Sequence, residues 1–157
     1  MIKLCLWFAD EAEEAARFYA SIFADSSIGL ITRFGPEGAE HHGQPAGKAM
    51  AVEFRIMNME MIAVNGRRGM EFNDSASIAV ECKTQEEIDY YWDKLSGGGR
   101  EGHCGWLKDR FGVSWQITPE CLSEYLADPD AERRSRVAGA MFGMMKIDIG
   151  ALNAARG

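Results

Sequence analysis

What this sequence lacks narrows it first. It has no long apolar run: MIKLCLWF is apolar for only a few residues and acids follow at once, so neither a signal peptide nor a membrane span is expected. It has no surplus of positive charge. Lys and Arg number 17 against 24 Asp and Glu, a net charge of −7, which speaks against nucleic acid or an anionic membrane as partner. The one basic run, Arg133, Arg134 and Arg136, follows Asp128, Asp130 and Glu132. That order reads as an exposed helix whose charges suit its dipole. There is no CxxC pair: Cys5, Cys82, Cys104 and Cys121 are far apart. Free thiols in a reducing cytoplasm are the expectation, and the spacing does not support a zinc site. Histidine is scarce, and His41, His42 and His103 all fall outside the predicted strands.

What is present is apolar periodicity. At 157 residues and 46% hydrophobic, the chain can bury a core as one domain or two small fused halves. Residues 2–8 read as a strand. Asp10 then reads as the N-cap of a helix over 11–23, with Glu13 completing a capping-box pattern. SIGLITRF is a strand, and GPEGAEHHGQPAG, residues 35–47, is a Gly- and Pro-rich loop. AMAVEFRIM and EMIAVNG read as strands around a tight turn near Asn58.

The pattern then repeats. SASIAVEC is a strand, Thr84 an N-cap with Glu87 at the capping-box position, QEEIDYYWDKL a helix and GGGREG a loop. CGWLK and VSWQI form a hairpin around KDRFG, where Gly112 supplies a positive φ. The halves align with a shift of 73, placing Glu13 on Glu86 and Phe18 on Tyr91. The reading is therefore an α+β fold of two βαβββ modules, residues 1–66 and 75–119, within a single domain 1–157. A helical tail, 120–157, is broken at Pro129. Its Val137, Met141, Met144 and Met145 gather toward one side, as packing on its own domain or as a clasp across a homodimer.

In the second hairpin, side chains alternate between faces. Val113, Trp115 and Ile117 share an apolar face that should meet the helices. Ser114, Gln116 and Thr118 share a polar one, with Cys104, Trp106 and Lys108 beside them on the partner strand. A tryptophan beside polar groups suits a ligand pocket of mixed polarity, and both tryptophans in the core is the alternative. Asp109 and Arg110 read as turn chemistry.

Taken together, LWFADEAEEAARFYASIF, the NG at 65–66, VECKTQEEIDYYWDKLSGGG, CGWLKDRFGVSWQITP and the DPDAERRSRV…MMKIDI tail resemble PhnB-like proteins. These belong to the vicinal-oxygen-chelate (glyoxalase/bleomycin-resistance) superfamily, and the resemblance covers nearly the whole chain. It implies paired βαβββ modules curling into half-open barrels, usually in a homodimer with a pocket in each curl. It also brings a demethylubiquinone methyltransferase label. A methyltransferase using S-adenosylmethionine would show a strand, a Gly-rich turn and a helix, and neither Gly cluster here fits that order. Superfamily enzymes take His or Glu metal ligands from the first and last strands of each module. Carried onto this chain, those positions fall near Lys3, Glu60, Ser77 and Gln116. Only Glu60 is an ordinary ligand, and one carboxylate does not hold a divalent metal. A divalent metal is possible but disfavoured, and no other cofactor is expected.

Three functions compete. A small-molecule-binding protein of the bleomycin-resistance kind would use Trp7, Glu53, Asn65, Cys104, Trp106 and Gln116 to line a pocket, and the acidic surplus would favour a cationic ligand. An enzyme of unassigned reaction would take Glu60, Glu53, His41 or His42 as base, or Cys104 as a reactive thiol rather than an inert buried one. A transferase acting on a quinone-type substrate is what the label implies. The expected state is a cytoplasmic homodimer that binds a small molecule.

Overall fold

The alternation and helical spacing in the sequence resolve into two copies of one topology. The computed structural model describes residues 1–66, 69 and 71–157. They fall into two compact units, Met1–Glu71 and Phe72–Gly157. In the first, the order is β1 (Leu4–Phe8), α1 (Ala12–Ile22), β2 (Ser27–Arg33), the single turn α2 (Ala39–His42), β3 (Ala49–Ile56) and β4 (Met59–Asn65). The sheet order is β1-β4-β3-β2, with β1 parallel to β4 and the other pairs antiparallel. The second unit has β5 (Ile78–Cys82), α3 (Gln85–Ser96), β6 (Arg100–Glu101), β7 (Trp106–Lys108) and β8 (Ser114–Pro119). Its order, β5-β8-β7-β6, repeats the first, again with one parallel pair. The tail adds α4 (Leu122–Leu126), α5 (Ala131–Phe142) and α6 (Ile149–Arg156) to the second unit. The result is the expected α+β arrangement of two βαβββ modules and a helical tail.

In each sheet, one face is covered by the unit's helix. Leu6, Phe8, Val52, Phe54, Met61 and Ala63 are buried in the first unit. In the second, Val80, Cys82, Leu107, Val113, Trp115 and Ile117 are buried with Ile88, Trp92 and Leu95 of α3. The expected face for Val113, Trp115 and Ile117 is thus the observed one. Gly112 closes the hairpin at φ 85°, and Asp109 is the turn residue it was read as. Its Oδ1 accepts from the Phe111 and Val113 amides and its Oδ2 from Trp115 Nε1 at 2.8 Å.

Several expectations are corrected. Asp10 does not cap α1. Its carboxylate pairs with Lys48 at 3.3 Å, Glu13 pairs with Arg17 and Arg33, and the first turn is capped by Asn65, whose Oδ1 accepts from the Ala12 amide at 2.9 Å. Thr84 does cap α3, accepting from Glu87 N at 3.3 Å. The shift of 73 holds for the helices only. The strand registers set Phe8 and Cys82 in equivalent places, 74 apart, because Ala9–Glu11 joins β1 to α1 while two residues, 83–84, join β5 to α3. The loop over 35–47 contains α2, and GGGREG contains the two-residue β6. Gly99 permits that strand: a Cβ there would lie 2.0 Å from the Lys108 carbonyl oxygen.

The tail breaks at Pro129 and again over 143–148. Its buried anchors are Val137, Ile147 and Leu152 rather than the methionines, since Met145 is exposed. It packs on its own unit. Met144 and Met145 carbonyls accept from the Cys104 and Gly105 amides, and Gln85 of α3 bonds Ile147 O and Ile149 N. The basic run is not simply solvated: Arg136 donates to the carbonyls of Ala155 and Arg156, closing the end of α6. No helix among the described residues is long and apolar enough to cross a membrane.

Candidate functional site

The face of each sheet turned away from its helix carries the residues with chemistry. In the first unit that face holds Lys3, Cys5 and Trp7 from β1 and its lead-in, Glu60, Ile62 and Val64 from β4, and Ala51, Glu53 and Arg55 from β3. Glu53 binds Lys3 at 3.2 Å. Glu60 lies opposite Arg55 in the register and edges a cavity of about 450 Å³ with Ile2, Lys3, Leu4, Asn58 and Met59. Trp7 is 46% exposed, its indole close against Gly66, where a Cβ would fall 2.0 Å from Nε1. Asn65 is buried and its amide is spent: Nδ2 donates to Ala49 O at 2.9 Å while Oδ1 holds the start of α1. It does structural work, and a ligand reaching it would have to displace both bonds.

His41 and His42 border a second cavity of about 620 Å³ with Asp10, Gln44, Lys48 and Gly66. Its polar groups are already paired. His42 Nδ1 accepts from the Gln44 amide at 3.0 Å, and Nε2 lies 3.1 Å from the Glu37 carbonyl oxygen, to which it can donate. The ring also lies 4.4 Å from that of Phe34. Both nitrogens are occupied, so His42 has no lone pair free to act as a base. Exposed His41 is paired with Glu40 at 3.2 Å. Gln44 Nε2 donates to the Ala9 and Gly66 carbonyls and ties this loop down.

The second unit gathers a different set. Its outward face has Trp106 beside Gln116 and Ala79 in one row and Lys108 beside Ser114 in the next. Trp106, Lys108 and Leu107 line a cleft of about 430 Å³ with Asp74, Arg100, Glu101, Gly102 and His103. Asp74 receives a hydrogen bond from Ser114 Oγ at 2.8 Å and meets Lys108 Nζ at 3.2 Å. The Ser114 bond, then Lys108 and the nearby Arg100 charge, hold its carboxyl below the usual carboxylate range. Trp106 is half-buried and Trp115 wholly buried, so one of the hairpin's two tryptophans is core and the other is not. Gln116 donates to Ser77 Oγ at 2.8 Å. Cys104 lies just before β7, not in it, at φ 58° and half-buried beneath the tail. All four cysteines are free, and burial pushes the Cys82 thiol up to about 12, with Glu87 and Glu120 adding to the shift.

The sequence thus points to Trp106, with Lys108 on the same face, but misses Arg100 and Asp74. Arg100 lies on a strand of two residues, too short to show alternation, and Asp74 in an irregular segment before β5. The glycine run 97–99 was the available signal, since Gly99 is needed where the backbones of 99 and 108 close up.

The registers also test the donor set for a metal. Lys3 and Ser77 occupy equivalent positions, and the β4 residue equivalent to Gln116 is Ile62, with Glu60 one pair further along. An ammonium, an alkyl group, a hydroxyl and an amide are not a divalent-metal set. Among the described residues no three His, Cys, Asp or Glu side chains converge as metal ligands. Nor do the residues fit S-adenosylmethionine in the usual way. The connections from β1 to α1, 9–11, and from β5 to α3, 83–84, contain no glycine, and Gly35 and Gly38 between β2 and α2 lead only into a single turn.

Residues 1–118 match the family described as 3-demethylubiquinone-9 3-methyltransferase, so the three tail helices lie beyond the match. A PhnB protein from Bacillus cereus, provisionally assigned as a 3-demethylubiquinone-9 3-methyltransferase, is 32% identical. Its structure superposes with a TM-score of 0.68 over 75% of this chain and 98% of that one. The protein PA1353 from Pseudomonas aeruginosa is 20% identical, with a TM-score of 0.61 over 76% and 97%. The fosfomycin resistance protein FosX from Mesorhizobium loti is 16% identical, with a TM-score of 0.54 over 81% and 96%. The last two share the fold. No curated protein sequence matches the chain.

Proposed function

Because this chain belongs to the 3-demethylubiquinone-9 3-methyltransferase family of PhnB-like proteins, within the vicinal-oxygen-chelate superfamily, we propose that it binds a small organic molecule in the cleft over Trp106. One observation carries the reading. Of the three cavities described above, this one combines an aromatic face with charged and hydrogen-bonding groups at its rim, the composition of a site that orients a ligand. The larger cavity beside His41 offers polar groups already committed to one another. The proposal includes no glyoxalase-type metal, because the equivalent positions carry Lys3, Ile62, Ser77 and Gln116. It includes no methyl transfer, because neither the β1–α1 nor the β5–α3 connection supplies a glycine-rich turn for the methyl donor. The dimer inferred from the family is part of the same reading, and the mass of the native protein tests it.

The indole N–H signals of the four tryptophans give a direct test of the site. Trp115 donates its N–H to Asp109, away from the cleft, and acts as an internal control. Titration with a library of aromatic fragments should move the Trp106 signal and leave that of Trp115 in place, and Trp106→Ala should abolish binding while the fold persists. Fragments that shift only Trp7, or none that shift Trp106, would overturn the assignment.

A further inference from the structure

We infer that the cleft selects ligands carrying an aromatic ring and an anionic group, and that Asp74 is an internal anion which such a ligand displaces. The inference rests on reading the cleft as a ligand site. Its basis is the register of β6 and β7, which sets Arg100 directly opposite Lys108. Two cations facing each other across a strand pair repel, and a sheet is destabilised by them unless an anion lies between or above. Glu101, the next residue, also lines the cleft but is engaged elsewhere: it pairs with buried Leu107 in the register, and its Oε1 accepts from Trp92 Nε1 at 3.0 Å.

The anion supplied is Asp74, from outside the sheet. It reaches Lys108 and Ser114, while its side chain remains 62% exposed. Among the described residues the Arg100 side chain has no hydrogen bond or close ion pair, although its charge acts on Asp74. The cleft therefore holds two cations, Arg100 and Lys108, the exposed carboxylate of Asp74, the carboxylate of Glu101 bonded to Trp92, and the Trp106 indole. A ligand carboxylate, phosphate or sulfonate would meet the Arg100 fork and the Lys108 ammonium, with its ring against Trp106. Asp74 would swing into water at small cost, because exposed ion pairs are weak. This reverses the expectation of a cationic ligand drawn from the overall acidic charge: the surplus belongs to the whole chain, while in the cleft two cations are balanced by two carboxylates, one of which, Asp74, can give way to a ligand anion.

The probes are 1-naphthoate and its neutral counterpart 1-naphthamide, titrated into the full chain by calorimetry. The acid should bind about tenfold or more tightly than the amide, with an advantage that shrinks as salt rises. Arg100→Gln should erase that preference by weakening the acid alone. Asp74→Asn should strengthen the acid several-fold and leave the amide unchanged. Equal affinities, or a preference that survives Arg100→Gln, would overturn the inference while leaving a ligand site over Trp106 intact. Binding of neither probe would overturn the inference and weigh against the site itself.

Discussion

The two units follow one topology with opposite distributions of bulk. In the first, α1 turns Ala12, Ala15 and Ala16 to the sheet, all fully buried, and the volume comes from Tyr19 and from Phe54 and Met61 beneath. In the second, α3 itself carries the bulk, Ile88, Trp92 and Leu95, over Trp115 and Ile117. The difference teaches that periodicity sets this topology and that the helix and sheet can trade volume between them, provided the layer is filled. The outward faces differ as well. The first mixes Cys5, Trp7, Ile62 and Val64 with the charged Lys3, Glu53, Arg55 and Glu60, and the second is polar, with serine, glutamine and threonine along β8.

The largest effect should come from the second unit's core. Trp115→Ala removes a wholly buried ring and leaves Asp109 Oδ2 without its indole partner. A loss of about 3–5 kcal/mol is expected, read as a lower midpoint in urea unfolding. A much smaller loss would show that the second layer tolerates missing volume as readily as the alanine face of α1.

The next comparison sets a borrowed helix cap against a local one. Asn65→Ala orphans the Ala12 amide and the Ala49 carbonyl, at roughly 1–3 kcal/mol for each buried group left unpaired. Thr84→Ala removes a single exposed cap bond and should cost about 1 kcal/mol. Equal losses in thermal unfolding would mean that the Asn65 bridge is no more than a cap.

The smallest effect concerns the tail. Asp89 of α3 and Lys146 meet at 2.7 Å. Lys146 first, then Gln85, hold the Asp89 carboxyl below its usual range, and Asp89 raises the Lys146 ammonium. The stability from Asp89 is present above the ordinary carboxylate pKa and is lost as pH falls through its lowered folded value. That from Lys146 is full below its ordinary pKa and is lost as pH rises through the raised one. Both side chains are more than a third exposed, so the pair is worth roughly 0–1 kcal/mol. Lys146→Gln should lower the melting temperature by about 4 °C at most near neutral pH, and this gap should close in acid. A gap that persists in acid would show that the lysine's packing, not its charge, holds the tail.

Much of this was legible in the residues. The strand–helix–strand–strand–strand repeat, the Thr84 cap, the Gly112 turn and the inward face of β8 follow from local pattern, and the structure has them. What was not legible depends on partners distant in sequence. Asn65 followed by glycine at a strand end looks like a pocket residue until α1 is laid beside it. Asp10 looks like a cap until Lys48 claims it. His42 looks available until Gln44 and Glu37 are seen on either side. Arg100 and Asp74 are invisible because one belongs to a strand of two residues and the other to none.

The Asn65 bridge bears on the order of events when the chain folds. The amide that starts α3 finds its acceptor three residues away, so that helix can nucleate alone as soon as its segment exists. The amide that starts α1 waits for a side chain 53 residues downstream, at the far end of the last strand of its sheet. The first turn of α1 is thereby made conditional on closing a long loop, a slower event than local winding. Two modules with one architecture are set to assemble at different rates, with the second able to begin from its helix and the first only from its completed sheet.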